Sequence, residues 1–252
     1  MAARRNIRLI LEYDGTRYHG WQRQKNALSL QEVIEQALAR ITGEPVRLIA
    51  SGRTDAGVHA LGQVANFQTR STAPLRAFVK GLNSLLPLDI AVLTAEEVFL
   101  KFHARYDARW KTYEYHILNR PVRSPLQHFY TWWIPEPLDV AALEAAARAL
   151  PGEHDFSTFR AAGSRPGHAV RRVREAVWQA GAEGRLIFNI TANGFLRGMV
   201  RSLVGTMVEV GKGKYPAEYL RQALEKRDRG LAGPTAPPQG LFLVGVEYEE
   251  ND

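Results

Sequence analysis

The chain has 252 residues, 45% of them hydrophobic, which is enough apolar material for a substantial core and excludes a disordered or fibrous protein. Cysteine is absent, so disulfides, thiolate metal sites and cysteine nucleophiles are excluded. A net charge of +7 favours a polyanionic partner, and no apolar run approaches the ~18 residues of a membrane span, so the protein is expected in the cytoplasm.

In chain order, Asn6–Tyr13 reads as a strand with Ile7, Leu9 and Leu11 on one face. Asp14-Gly15 opens a loop in which Arg17, His19, Arg23 and Lys25 are interleaved with Tyr18 and Trp21. Cations among aromatics suit single-stranded RNA, where bases stack on rings and phosphates meet charge. The competing reading folds Trp21 back onto the core. Ser29-Leu30-Gln31-Glu32 has the capping-box form, and Val33, Ile34, Ala37, Leu38 and Ile41 continue at helical spacing until Gly43 and Pro45. Strands at Val46–Ala50 and Gln63–Thr69 flank a glycine-rich loop. A second helix runs from about Pro74 to Leu86, and Asp89–Leu93 is an apolar strand.

That β-α-β-β-α-β order then recurs. Tyr106–Leu118 is a long strand with Lys111, Tyr113, Tyr115 and Ile117 on one side, and residues 121–137 are an irregular connection. Leu138–Leu150 is a helix, Val170–Gln179 and Arg185–Ala192 form a hairpin, Gly194–Val210 and Ala217–Leu224 are helical, and Leu241–Tyr248 is the closing strand. The expectation is an α+β protein of two ferredoxin-like halves, residues 1–104 and 105–252, with mostly antiparallel sheets meeting at a central cleft.

The loop between the second and third strands reads Ser51-Gly52-Arg53-Thr54-Asp55-Ala56-Gly57-Val58-His59-Ala60 and places one carboxylate among glycines beside a guanidinium. Asp followed by Ala-Gly is also ordinary turn chemistry. Residues 160–174 hold Arg160, Arg165, Arg171, Arg172 and Arg174 without a single acid, a nucleic-acid contact by composition. On the helix Gly194–Val210, Gly194, Gly198, Arg201 and Gly205 share one stripe. A helical glycine costs about 1 kcal/mol relative to alanine, so something must approach that stripe closely. Arg201 in its middle needs an anion, for which Asp55, Glu209 and Glu175 are candidates. The histidines show no metal-ligand spacing, and Gly205–Lys212 lacks the residues of a phosphate-binding loop.

Residues 52–60, with Tyr13-Asp14-Gly15-Thr16, Gly20-Trp21-Gln22, Phe102-His103-Ala104-Arg105, Lys111-Thr112-Tyr113-Glu114-Tyr115, residues 152–159, Met199-Val200-Arg201 and Gly240-Leu241-Phe242-Leu243, resemble the tRNA pseudouridine synthase A family along nearly the whole chain. The resemblance implies isomerisation of uridine to pseudouridine at positions 38–40 of the tRNA anticodon arm, without cofactor or metal, by a homodimer holding one tRNA across both subunits. It matches Asp55 to the catalytic aspartate, Tyr113 to the tyrosine stacking on the target base, Arg201 to the arginine paired with the aspartate, and Arg53 to nucleotide extrusion. His59, Arg17, Trp21, Arg165 and Arg171 complete the candidate substrate contacts. Two rival readings are a metal-dependent nuclease, which needs converging carboxylates where only Asp55 stands out, and an RNA-binding module in which Asp55 merely turns the chain.

Overall fold

The computed structural model describes residues 3–161, 163 and 168–249. Two compact units emerge, one of Met1–Arg109 with Leu243–Asp252, the other of Trp110–Phe242. The fold is of the α+β class, with ten strands and five α-helices among the described residues.

The first unit contains β1 (Arg5–Tyr13), α1 (Leu30–Thr42), β2 (Ile49–Ala50), β3 (His59–Thr69), α2 (Leu82–Leu85) and β4 (Ile90–Val98). β4 pairs with β1, β1 with β3, and the short β2 also with β3, all antiparallel. The period-2 pattern of β1 buries Ile7, Leu9, Leu11 and Tyr13, and α1 buries Leu30, Ile34, Ala37 and Leu38. Burying a side chain of that size contributes roughly 1.5–3 kcal/mol. Phe67 of β3 meets Phe78, in the turn before α2, edge to face at 5.4 Å.

Local structure departs from expectation at three places here. Ser29 precedes α1 but makes no cap hydrogen bond, and its buried hydroxyl has no partner. The preceding loop does the capping instead: the Leu30 and Gln31 amides donate to the carbonyls of Gly20 (3.2 Å) and Trp21 (3.0 Å), satisfying two of the amides that a first turn leaves open. The strand expected at Val46–Ala50 shrinks to Ile49–Ala50, because Glu35 and Gln31 of α1 take the Leu48 backbone N–H and C=O. The second helix contains a π-turn over Ala77–Gly81 before α2.

The second unit contains β5 (Ala108–Asn119, from Trp110 onward), β6 (Trp132–Ile134), α3 (Val140–Ala147), β7 (Gly152–Asp155), β8 (Val170–Ala180), β9 (Arg185–Ala192), α4 (Met199–Gly211) and α5 (Tyr219–Lys226). β5 pairs with β9, β9 with β8 and β8 with β7, all antiparallel, while β6 runs parallel to β5. Of the closing strand β10 (Leu241–Tyr248), the first two residues belong to this unit, and Phe242 stacks on His116 of β5 at 4.6 Å. The β-α-β-β-α-β order is complete in the first unit, whereas in the second the closing strand is β10, of which only Leu241 and Phe242 belong to that unit; β6, β7 and α5 are additions to the second. α4 begins five residues later than expected, at Met199 in place of Gly194. Gly198 has φ of +70° as its N-cap and Gly194 precedes it, so of the supposed glycine stripe only Gly205 bears the helical cost.

Candidate active site

The loop that carries Asp55 is fastened by two buried side chains, Gln63 and Tyr13. Gln63 of β3, fully buried, accepts a hydrogen bond from the Ser51 hydroxyl (2.7 Å) and donates to the Gly52 carbonyl (3.0 Å) and the Tyr13 hydroxyl (3.3 Å). Tyr13 in turn lies 2.9 Å from the Thr54 hydroxyl. Burial pushes the Tyr13 phenol up to about 12 against the opposing effect of the Thr54 and Gln63 hydrogen bonds, so it stays a neutral partner. Residues 55–58 form a turn in which the Val58 amide donates to the Asp55 carbonyl (3.2 Å) and Gly57 takes the positive φ of +75° that its third-from-first position requires. The turn reading of Asp55 is therefore correct for its backbone, and it leaves the chemistry of the carboxylate, which is partly exposed, a separate matter.

The loop following β1 forms the wall beside it. Gly20 has φ of +89°, and a Cβ there would sit 2.8 Å from the Thr54 carbonyl and 3.2 Å from the Asp55 carbonyl carbon. Its glycine allows the two chains to touch, and the Trp21 amide donates to Thr54 (3.1 Å) across the contact. Arg17 grips Asp89 through Nε (2.8 Å) and Nη2 (2.7 Å), and the Tyr18 hydroxyl donates to the same carboxylate at 2.7 Å. Arg17 is nonetheless largely exposed, as is Arg53. Two of the candidates are buried. Trp21 is 2% exposed with its ring 6.0 Å from that of Tyr13, so its faces are spent on the core. His59 is 1% exposed; its Nδ1 accepts the Gly15 amide at 3.1 Å with Asp14 beside it, which makes it an internal fastening of the loop.

In the second unit Tyr113 is nearly buried on β5, and Phe195 meets its ring edge-on at 4.9 Å. Arg201, near the start of α4, donates from Nε to the Ala236 carbonyl (2.7 Å), while its own carbonyl accepts the Ala236 amide (3.0 Å). Residues 233–237 form a strap along α4. The Gly233 amide donates to Thr206 (2.8 Å), the Tyr115 hydroxyl donates to the Pro237 carbonyl (2.8 Å), and a Cβ on Gly205 would fall 1.6 Å from the Pro234 carbonyl oxygen. The close approach inferred at the helical glycine is this strap. Burial drives the Tyr115 phenol far up, with Arg201 opposing. Arg171 donates to the carbonyls of His168 (2.9 Å) and Val170 (2.6 Å), and burial lowers its pKa. Arg165 lies outside the described residues. The Tyr13–Thr54–Gln63 fastening, the strap and Phe195 were missed by sequence reasoning; only the prolines around Ala236 hinted at the second.

Among the described residues no group of His, Cys, Asp or Glu is placed to hold a metal ion, and no helix is long and apolar enough to cross a membrane. Chemically, the first unit offers one carboxylate on a stiff loop, and the second an aromatic hydroxyl and a guanidinium whose Nε is anchored.

The model of a family described as tRNA pseudouridine synthase matches residues 9–107 and 146–249. Asp55 and Arg201 fall within the matched segments and Tyr113 between them. A tRNA pseudouridine synthase A of Geobacter sulfurreducens is 52% identical over 244 residues, 97% of this chain and all of that one. Those of Pelobacter propionicus (49%, 97% of this chain and all of that one) and Myxococcus xanthus (48%, 97% and 92%) are similarly close. Among solved structures, the archaeal box H/ACA sRNP Nop10–Cbf5 complex matches at a TM-score of 0.36 and 13% identity, over 81% of this chain and 55% of that one, too faint to add to the sequence match. With a family model spanning both units and relatives near 50% identity end to end, the chain belongs to the tRNA pseudouridine synthase family, a family of isomerases.

Proposed function

We propose that the protein converts uridine to pseudouridine at positions 38–40 of the tRNA anticodon arm, with Asp55 as the catalytic group. The observation that carries this reading is the Asp55 loop, an aspartate on a loop immobilised by a buried glutamine, a buried tyrosine and a glycine contact, inside a family whose name states the reaction. The reaction breaks the bond from ribose C1′ to N1 of uracil, turns the base and joins C5 to C1′. The target nucleotide must first leave its stack, which costs a few kcal/mol and least near loops. A carboxylate serves the next step by attacking C1′, by attacking C6 of the base, or by removing a ribose proton.

In this reading Tyr113 offers its face to the uracil and its hydroxyl to the C5 proton, Arg201 holds the carboxylate ionised and oriented in the productive complex, and Arg53 supports extrusion of the nucleotide. The enzyme works as a homodimer with one tRNA across both subunits, and needs no cofactor. Incubation with an unmodified tRNA transcript, followed by mapping of pseudouridine by position, tests the reading. Modification at 38–40 that survives a chelator is expected. Strand cleavage, or modification confined to other positions, would refute it.

A further inference from the structure

The segment between β4 and β5 is built like a recognition surface that the chemistry around Asp55 does not use. Two buried asparagines hold it from beneath. Asn6 donates to the carbonyls of Phe99 (3.0 Å) and Phe102 (2.9 Å), Asn66 donates to the Asn6 side-chain oxygen (2.9 Å), and Asn66 accepts the Ala104 amide (2.9 Å). The Tyr248 hydroxyl donates to the Ala104 carbonyl at 2.7 Å. His103 takes the Arg105 and Tyr106 amides on Nδ1 at 3.2 Å each and stacks on the Tyr106 ring at 4.2 Å. A satisfied polar network under a surface turn fixes one conformation.

What this rigid turn presents outward is apolar and cationic. Phe99 is 72% exposed and Tyr106 77%, and the exposed Lys101 and Arg105 form no ion pair among the described residues. The acids flanking the segment in sequence are engaged: Asp107 accepts the His103 amide, Glu96 pairs with Arg8 and Glu97 with Arg5. Large rings held outward without a covering element mark a binding surface. The core of a protein–protein interface is depleted of charge, whereas here cations alternate with the rings, the pattern that meets stacked bases and phosphates.

We propose that Phe99–Tyr106 is a second docking platform for tRNA, in which Phe99 and Tyr106 stack on unpaired nucleotides while Lys101 and Arg105 meet flanking phosphates. It rests on the reading of tRNA as substrate. The turn sits over Asn6, and the Asp55 loop touches Tyr13 at the other end of β1, a separation of roughly 23 Å at about 3.3 Å per strand residue. The platform thus engages a part of the RNA other than the isomerised nucleotide, and supplies affinity and orientation.

Binding of full-length tRNA transcript, measured by fluorescence anisotropy across a salt series, tests this together with initial rates. The Lys101→Ala/Arg105→Ala double variant is expected to weaken binding about tenfold and to lower the salt slope by about 0.7–0.9 for each phosphate no longer neutralised. Tyr106→Ala is expected to weaken it roughly 5- to 100-fold, the range for removal of one stacked base, whereas Tyr106→Phe stays near wild type. Most of each effect should fall in KM. The Lys101 side chain is exposed and outside the network beneath the turn, so its variant remains informative if Tyr106→Ala misfolds. Wild-type affinity and slope in the double variant would overturn the platform, as would a change in the mass of the free protein with tRNA affinity untouched, which assigns the surface to a second copy. A wild-type protein that makes no pseudouridine in tRNA sinks the substrate reading instead; an active wild type with unaffected variants sinks only the platform.

Discussion

Arg201 has its Nε held by the Ala236 carbonyl, and that carbonyl belongs to a strap pinned one residue further on by the Tyr115 hydroxyl. If Arg201 orients the catalytic carboxylate as proposed, Tyr115 is a positioning residue that never meets the substrate. Tyr115→Phe keeps the ring and removes the anchor, a part-buried hydrogen bond whose loss costs about 0.5–1.5 kcal/mol. The expected outcome is a kcat reduced about tenfold with KM for tRNA unchanged, since one such bond sets an orientation worth about 1.4 kcal/mol per decade. Equal effects on kcat and KM, or none, would remove the positioning role. Asp55 and Arg201 stand out in the sequence because a carboxylate among glycines and a cation on an apolar helix are both conspicuous. Residue type does not disclose burial, and the structure buries both Trp21 and His59.

At the scale of elements, α4 and its strap meet backbone to backbone at Gly205, where a methyl group would fall inside the Pro234 carbonyl. Gly205→Ala must therefore push the strap away. Overpacking of this kind costs about 1–3 kcal/mol or more, and a thermal melt should show a clearly lowered Tm together with loss of activity; an unchanged Tm would mean that the strap is not seated as described. A second tie joins α1 to the end of β3. Glu44, just after α1, accepts the Thr69 hydroxyl at 2.5 Å and the Arg70 amide at 2.7 Å, and these hydrogen bonds, the Thr69 one foremost, hold its pKa below the ordinary glutamate value. A depressed carboxylate stabilises the fold above the unfolded pKa of about 4.3 and loses that contribution as pH falls through the folded value. The Tm advantage of wild type over Glu44→Gln should be full near neutrality and close under acid conditions; a gap independent of pH would contradict it.

The helix ends illustrate what the sequence could and could not disclose. Gly43 stops α1 with φ of +74°, as its type and place foretell. Ser29 looks like a cap but is displaced from that role by the Gly20 and Trp21 carbonyls, a tertiary interaction that no local pattern encodes. The start of α4 was misplaced because the apolar run 194–200 has helical spacing, although Gly198 breaks it with a positive φ.

For the molecule as a whole, element order was the most readable feature, since helical and strand periods alternate twice in the same sequence. The added strands β6 and β7 were hidden by their shortness and by prolines at 121–137 and 151. The net charge of +7 foretold an anionic partner, and membership of a tRNA-modifying family gives that partner its class. What composition could not indicate is where affinity ends and chemistry begins, a division that the proposed function places at Asp55. Single-turnover pseudouridine formation by Asp55→Asn, with tRNA affinity measured on the same preparation, tests this most directly. The substitution should cut the rate by on the order of 10³-fold or more while affinity stays within about twofold. A variant that still turns over near the wild-type rate, or one that loses binding and rate together, would contradict it.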